Sequence, residues 1–415
     1  MKILLISQSD LVGGAARAAF RLNLALKKSS VESRMMVRVK KSDDKDVYSS
    51  NNNFWIFFDL LRFHVGQIIQ KLQKSSNVNF HSGNYLPSNW SKDINSSDID
   101  IVNLHWVAGE TISIEDIGRI NKPIVWTLHD MWAFCGSEHV VEDNETARWR
   151  TGYTKKSRRP SDFGLDLDKW VWKRKLKLRH KNIHYVSPSS WLAACVKDSE
   201  LLSFSNISVI PNAVDLSIYK PLDKKICREI LNIPQNKVIV LFGAMGGTKD
   251  KNKGYDLLKE SLVKLSVHSD ISNVHFVIYG QSEPSISDID FLETTWLGHV
   301  NDDTTLAVIY NAADIMVVPS RIENLPQSAT EAQSCGVPVI GFNCTGLPDA
   351  VENNRTGILV SAYDTLEMSN ALERLISDEP LRKKYAHNSR QRAERLWSEE
   401  VIATKYKNLF SKILS

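Results

Sequence analysis

Runs of Val, Ile and Leu that stay apolar on consecutive positions recur through all 415 residues, each followed by a stretch with helical spacing. That alternation leaves few folds open. A strand that is apolar on both sides needs cover on both sides, which a parallel sheet flanked by helices provides. The pattern predicts strands at 2–7, 34–39, 99–104, 123–128, 183–186 and 207–210 in the first half of the chain. In the second half it predicts them at 237–243, 274–280, 294–297, 314–319, 337–341 and 357–360. Two α/β units of similar size follow. The seam falls between Pro211 and Pro234, where a polar, Lys-rich stretch carries no strand.

Composition excludes several classes. Hydrophobic residues make up 42% and charged residues 24%, ordinary for a globular chain of two or three domains, and 19 Gly with 13 Pro are too few for a fibrous or low-complexity one. Apolar runs such as Phe54 to Phe58 fall far short of the 18 or more residues of a spanning helix. The start of the chain reads as a first strand rather than a signal peptide. Five cysteines, Cys135, Cys195, Cys227, Cys335 and Cys344, form no C-x-x-C pair, which fits reduced thiols in the cytoplasm and no structural zinc.

Charge is concentrated in one place. Between Arg148 and Lys181 there are 13 Lys and Arg against three Asp, a net of +10, so with +4 overall the remainder is −6. Trp149, Trp170 and Trp172 are interleaved with these cations, and Lys173 and Arg174 follow directly. One reading is a solvated basic helix with its tryptophans packed inward. The other is a surface for an anionic membrane or a phosphate-bearing acceptor, with Trp170, Trp172, Lys173 and Arg174 in contact. Nucleic acid ranks last as a partner, because a −6 remainder suits a duplex poorly. The apolar helix expected at 54–72 would contribute its off-stripe residues Trp55, Ile56, Leu60 and Phe63 to the same surface.

Open parallel sheets bind ligands at the carboxyl ends of their strands, so chemistry is sought in the loops that follow strands. Gly13 and Gly14 close the first such loop and open a helix carrying Arg17, an arrangement that brings backbone N–H groups close to an anion. The spacing is not G-x-G-x-x-G, which argues against a dinucleotide. His129 and Asp130 leave the strand at 123–128, where an imidazole can donate or accept near neutral pH. His105 and Trp106 leave the preceding strand likewise. In the second half, Gly246 and Gly247 precede Lys249, Lys251, Lys253 and Gly254, cations and backbone donors suited to a diphosphate.

The richest stretch is Val317 to Gly346. A strand ends at Pro319, Glu323 follows, and a helix is expected from about Asn324 with Pro326 in its first turn. Glu331 lies eight residues beyond Glu323. Were that span wholly helical it would cover roughly 12 Å, close to the reach of a nucleoside diphosphate sugar from hexose to ribose.

Taken together, the Gly-Gly loop, T-L-H-D-M-W-A-F at 127–134, V-S-P-S at 186–189, V-I-P-N at 209–212, K-G at 253–254, and P-S…E-x7-E followed by S-C-G-V-P-V-I resemble the family 4 glycosyltransferases of GT-B architecture. Within that family the chain resembles the bacterial enzymes of surface-polysaccharide assembly. The resemblance covers nearly the whole chain. It implies two Rossmann-like domains with parallel sheets facing across a cleft: an acceptor domain at 1–211, a nucleotide-sugar domain at 212–397, and a closing helix at 398–414 that packs back on the first. It also implies a retaining hexosyl transfer from a UDP- or GDP-linked sugar to a glycan or lipid-linked acceptor, without metal or further cofactor. The enzyme would be cytoplasmic or peripheral on the inner face of the membrane. By the same resemblance Lys253 holds the diphosphate, Glu323 the hexose, Asn324 and Leu325 offer backbone amides, Glu331 meets the ribose, and His129 lines the reaction centre.

The chain departs from the family twice. Ala244 stands where members usually carry Arg, so a second diphosphate charge falls to Lys249, Lys251, Arg17 or Arg321, or is absent. Only Cys135 remains where relatives carry several cysteines. Three other readings stay open. They are a nucleotide-sugar epimerase, a two-lobed sugar-binding protein, and a metal-dependent transferase using one of the Asp-x-Asp pairs at 98–100, 166–168 or 288–290.

Overall fold

A computed structural model describes residues 1–49, 53–243, 250–284, 289–300 and 302–415, without the side chains of 53–60. Ala244, Gly246, Gly247, Lys249 and Asp288, and the side chains of Trp55, Ile56 and Leu60, therefore lie outside what is described. The chain divides into two compact units, Met1–Pro211 with Ile402–Ser415, and Asn212–Val401.

The first unit holds a seven-stranded parallel sheet. From edge to edge its strands are Val47–Tyr48, Glu32–Val39, Lys2–Ser9, Ile101–Leu104, Ile124–Thr127, Ile183–Ser187 and Asn206–Val209. Every residue of Ile101–Leu104 and Ile124–Thr127 is buried, as their unbroken apolar sequence requires. Helices Gly14–Lys28 and Ser190–Asp198 pack on this sheet. The closing helix Glu399–Leu414 gives this unit its residues from Ile402 onward. Its Tyr406 hydroxyl meets Thr127 Oγ1 at 3.0 Å, and Lys407 Nζ donates to the Ser29 carbonyl.

The second unit holds a six-stranded parallel sheet in the order Thr294–Trp296, Val274–Tyr279, Val238–Gly243, Ile315–Val318, Val339–Phe342, Gly357–Val360. Its four inner strands are buried along their whole length. All twelve long strands expected from the sequence are present. The structure adds the two-residue edge strand Val47–Tyr48 and a small antiparallel ribbon that pairs Gln73–Lys74 with Phe163–Gly164, outside both sheets. These are too short to leave a periodic signal. Among the described residues no helix is long and apolar enough to cross a membrane.

Candidate active site

In the second unit the strand Ile315–Val318 delivers Pro319 and Ser320 to its carboxyl end. The loop beyond it is clamped by its backbone. Glu323 N donates to Thr345 Oγ1 at 3.2 Å, and Gly346 N donates to the Glu323 carbonyl at 2.9 Å. A Cβ on Gly346 would stand 1.3 Å from the Asn324 carbonyl oxygen, so only glycine permits this approach.

A second segment closes on the first. Asp250 caps the single turn Lys251–Lys253 by accepting from Asn252 N, and the turn ends on Gly254 in the left-handed region at φ 69°. A Cβ there would lie 1.9 Å from the Pro319 carbonyl oxygen. Arg321 stitches the two together: its N–H donates to the Asn252 carbonyl at 2.8 Å, one guanidinium nitrogen to the Lys251 carbonyl at 2.7 Å, and both terminal nitrogens to the Asp256 carboxylate. Lys253 Nζ is thereby set 2.5 Å from Glu323 Oε1, which also accepts from Ser320 Oγ at 3.3 Å. Burial works against the Lys253 charge, but the Glu323 carboxylate outweighs it and holds the lysine above its ordinary pKa.

Two sequence expectations change here, the start of the helix and the place of Arg321, while Leu325 keeps the backbone-only role expected of it. The helix begins at Gln327 with Pro326 as its N-cap, so Glu323, Asn324 and Leu325 lie in the preceding loop, and the distance from Glu323 to Glu331 is not set by helical rise. Arg321 is committed to Asp256 and to the turn, which makes it a brace for Lys253 rather than a spare charge for a diphosphate. The Leu325 side chain is buried in the core, leaving only its backbone to meet a ligand. Glu331 sits inside the helix Gln327–Ser334 at 4% exposure, and its Oε2 accepts from the Tyr310 hydroxyl at 2.9 Å. Tyr310, which in turn meets Tyr279 at 2.7 Å, has no local sequence signal; it comes from helix Asp303–Ala312. Lys251, the first residue of the turn, is exposed.

In the first unit Gly13 precedes helix Gly14–Lys28 at φ 93°, with nothing among the described residues within 4 Å of where a Cβ would stand, and Arg17 is half-buried one turn along. Buried Asp10 holds the preceding loop by accepting from the N–H groups of Lys41 and Ser42.

His129 leaves the strand Ile124–Thr127, and its Nε2 meets Nδ1 of His105 at 3.0 Å, the two rings stacked 5.3 Å apart. Burial pushes the His129 pKa down to about 4 against the pull of Asp130, and pushes His105 well down as well. Both rings are therefore neutral at pH 7. A neutral imidazole still donates from one ring nitrogen and accepts at the other, as expected of His129 from its place after the strand. Asp130 accepts from Trp132 N, from Trp106 Nε1 at 2.8 Å and from His139 Nδ1 at 2.6 Å. These bonds fix the Trp106 indole beside the histidine pair. His105, Trp106, Trp126, His129, Asp130 and Trp132 line one small pocket.

The basic segment faces inward more than its charge suggests. Arg174 is buried, bonded to Glu115 and to the carbonyls of Gly83 and Asn84, which removes it from the surface expected of it. Lys175 is buried too, with Nζ donating to the carbonyls of Trp132, Cys135 and Gly136 and lying 3.7 Å from the Trp132 ring centre. Trp172 is half-buried against Tyr153, whereas Trp170 stacks on Tyr85 with 48% of its surface exposed and Lys173 points to solvent. Of the Asp-x-Asp pairs, Asp98 and Asp100 are engaged by Lys2, Asp166 by Arg148, and Asp168 by His81, Ser137 and Gln73. Among the described residues no three His, Cys, Asp or Glu side chains gather as a metal would need.

Comparison with known proteins bears on both units. Residues 223–392 match the family model of glycosyl transferases group 1. The chain is 33% identical over 150 residues to the capsular polysaccharide biosynthesis glycosyltransferase CapM of Staphylococcus aureus, a stretch that covers 34% of this chain and 39% of CapM. Matches to curated relatives span between 39% and 57% of those proteins' lengths. Among solved structures, sucrose-phosphate synthase of Thermosynechococcus elongatus superposes with a TM-score of 0.68 at 19% identity, over 99% of this chain and 98% of that one. Anabaena HepE, solved in complex with UDP and glucose, superposes with a TM-score of 0.65 at 16% identity, over 99% and 100%. The match to the glycosyl transferases group 1 family is confined to residues 223–392, and the fold of the chain is GT-B.

Proposed function

We propose that this chain is a retaining glycosyltransferase that moves a hexose from a UDP- or GDP-linked sugar to a glycan or lipid-linked acceptor in the assembly of a surface polysaccharide. It would work without a metal, in the cytoplasm or on the inner face of the cytoplasmic membrane. The observation that carries this reading is the Lys253–Glu323 pair, held at the end of a parallel strand by Gly254, Arg321 and Gly346 in the domain that matches the family. The relation to CapM and the likeness to HepE, whose structure holds UDP and glucose, support it.

Without ligand the lysine and the carboxylate neutralise each other. A diphosphate arriving at Lys253 exchanges one ion pair for another, which costs little in desolvation, and frees Glu323 to accept hydrogen bonds from sugar hydroxyls. Lys253 then stabilises the anion that departs. Because that charge grows as the glycosidic bond breaks, the interaction is stronger in the transition state than in the bound donor. Glu331 would meet the ribose, Asn324 and Leu325 would offer backbone N–H groups, and neutral His129 would orient the sugar by a hydrogen bond. The acceptor hydroxyl would attack from the side that the diphosphate leaves, with a phosphate oxygen taking its proton.

The test is a thermal-shift screen of nucleotide sugars, followed by nucleoside diphosphate release with candidate acceptors and chelator present, and NMR of the product's anomeric centre. Stabilisation by no nucleotide sugar refutes the reading. An epimerised sugar formed without acceptor would replace it with the epimerase. Inversion at the anomeric centre or loss of turnover in chelator would refute those two parts alone.

A further inference from the structure

The structure moves the membrane question away from the tryptophan-bearing helix. Helix Leu167–Leu176 turns Arg174 and Lys175 inward, yet a separate group of large apolar side chains stands in solvent on the same unit. Ile68 is 62% exposed, Leu72 56%, Val78 90%, Phe163 58% and Leu165 55%. Leu72, Phe163 and Leu165 are neighbours, because the antiparallel ribbon pairs Gln73 with Gly164 and Lys74 with Phe163, and Leu165 N donates to the Leu72 carbonyl at 3.0 Å. Ile68 lies one helical turn before Leu72.

This ribbon is built, not frayed. Successive side chains of a strand point to opposite faces. Gln73 accordingly points in, donating to Asp168 Oδ2 at 2.5 Å and accepting from Asp168 N at 3.0 Å, while Leu72 and Lys74 point out. Gly164, at φ 76°, lets the strands close: a Cβ there would be 2.4 Å from the Leu72 carbonyl oxygen. Arg158 caps the far strand by donating to the carbonyls of Gly164 and Leu165. A polar interior thus holds an apolar tip outward, where a water-facing ribbon would carry polar residues.

Its charge identifies the partner. Residues 67–78 and 155–165 carry Lys71, Lys74, Lys155, Lys156, Arg158 and Arg159 against Asp162 alone, 6 − 1 = +5. Asp162 is bonded to Ser76, and Arg159 meets one outside acid, Glu142. Lys71, Lys74, Lys155 and Lys156 are exposed, Lys71 adjoins Leu72 in sequence, and Lys74 Nζ rests 4.9 Å from the Phe163 ring centre. Exposed apolar side chains with lysines beside them match a bilayer interface with anionic headgroups, which accepts the apolar tips to a depth of about 5–10 Å and pairs with the ammonium groups.

We propose that the ribbon Gln73–Lys74/Phe163–Gly164, with Ile68, Leu72, Val78 and Leu165, is the surface on which the first unit docks to an anionic membrane. This deepens the reading that the acceptor is lipid-linked, and rests on it for its purpose. The experiment is co-sedimentation of the full chain with vesicles of phosphatidylcholine alone or mixed with phosphatidylglycerol, at low and high salt. Binding should require phosphatidylglycerol and fall with salt. The pair Phe163→Ser with Leu165→Ser, both exposed, should weaken it about tenfold or more. Lys71→Gln with Lys74→Gln should weaken it about 25-fold, roughly fivefold for each charge. Equal binding to neutral vesicles, or unchanged binding by both variants, overturns the proposal. So does a dimer in sedimentation velocity that the Phe163/Leu165 variant abolishes, since the patch would then belong to a second copy. Thermal shift by nucleotide sugar separates the two claims: a chain that binds vesicles but no nucleotide sugar refutes the transferase, and one that binds donor but ignores vesicles refutes only this surface.

Discussion

Gly254 offers a direct test of whether the Lys253–Glu323 geometry does the work assigned to it. Its φ of 69° costs an alanine about 1–2 kcal/mol. In addition the new Cβ would stand 1.9 Å from the Pro319 oxygen, against a lower limit of 3.0 Å, so the turn and the strand end must part by about 1.1 Å (3.0 − 1.9). Lys253 is the adjacent residue and moves with that displacement. A misplacement of about 1 Å costs on the order of 100-fold in a positioned reaction. Gly298 is the control, for it has nearly the same φ of 68° in the same unit, and among the described residues nothing lies within 4 Å of where its Cβ would stand. Gly298→Ala should lower Tm by roughly 2–8 °C through the dihedral cost alone and leave kcat/KM for nucleoside diphosphate release unchanged. Gly254→Ala should lose at least as much Tm and about 100-fold in kcat/KM. Equal kcat/KM in the two variants, with both folded, would refute the claim that placement of Lys253 limits turnover.

Other perturbations probe single groups. Lys253→Met should weaken nucleoside diphosphate binding by about 10- to 100-fold, as expected for losing a hydrogen bond to a charged group, whereas Glu323→Gln should abolish most turnover yet keep or raise that affinity because it frees the lysine; calorimetry with the diphosphate alone separates the two. Lys175 has its pKa pushed down to about 7 by burial, from an ordinary 10.5, so the folded chain binds fewer protons than the unfolded one between those values and stability must rise with pH across that window. Denaturant unfolding should show a slope of up to about 1.4 kcal/mol per pH unit that Lys175→Met lacks, and parallel curves would refute the buried charge. Nitrogen-15 NMR of the His129 ring should report a neutral imidazole at pH 7 that protonates only near a pH of about 4; a midpoint at the ordinary value would show that the ring is not buried as described.

The two parallel sheets were legible because burial on both faces of their inner strands leaves a one-dimensional mark, an unbroken apolar run, whereas the partly exposed edge strands Asn206–Val209 and Thr294–Trp296 carry a weaker one. The loop chemistry was legible in composition but not in direction. Glu323 and Lys253 could be singled out by type and by their place after strands. Their contact, however, depends on Gly254 meeting the backbone of Pro319, 65 residues away, and on Gly346 meeting that of Asn324, 22 residues away. Arg321 shows the limit of reading charge alone. From sequence it is one more cation near a diphosphate loop; in the structure Asp256, five residues past the turn's start, has already claimed both of its terminal nitrogens.

The basic segment makes the same point about membranes, and with the opposite outcome. Thirteen cations in 34 residues suggested a charged face, but a helix that carries Asp166 as its N-cap and Glu115 across from it can bury Arg174 against partners that lie 59 and more residues away in sequence. Each cation so buried is subtracted from the surface. Lys173, Lys177 and Arg179 stay exposed on or just after the helix, while Lys74 stands on a two-residue ribbon whose pairing partners are about 90 residues apart, where no local pattern marks Leu72 and Phe163 as neighbours. A charge run in a sequence therefore fixes how much electrostatic work a unit must do. Which part of that work is spent inside, as by Lys175 on the carbonyls of Trp132, Cys135 and Gly136, and which part faces solvent, is decided by long-range pairing.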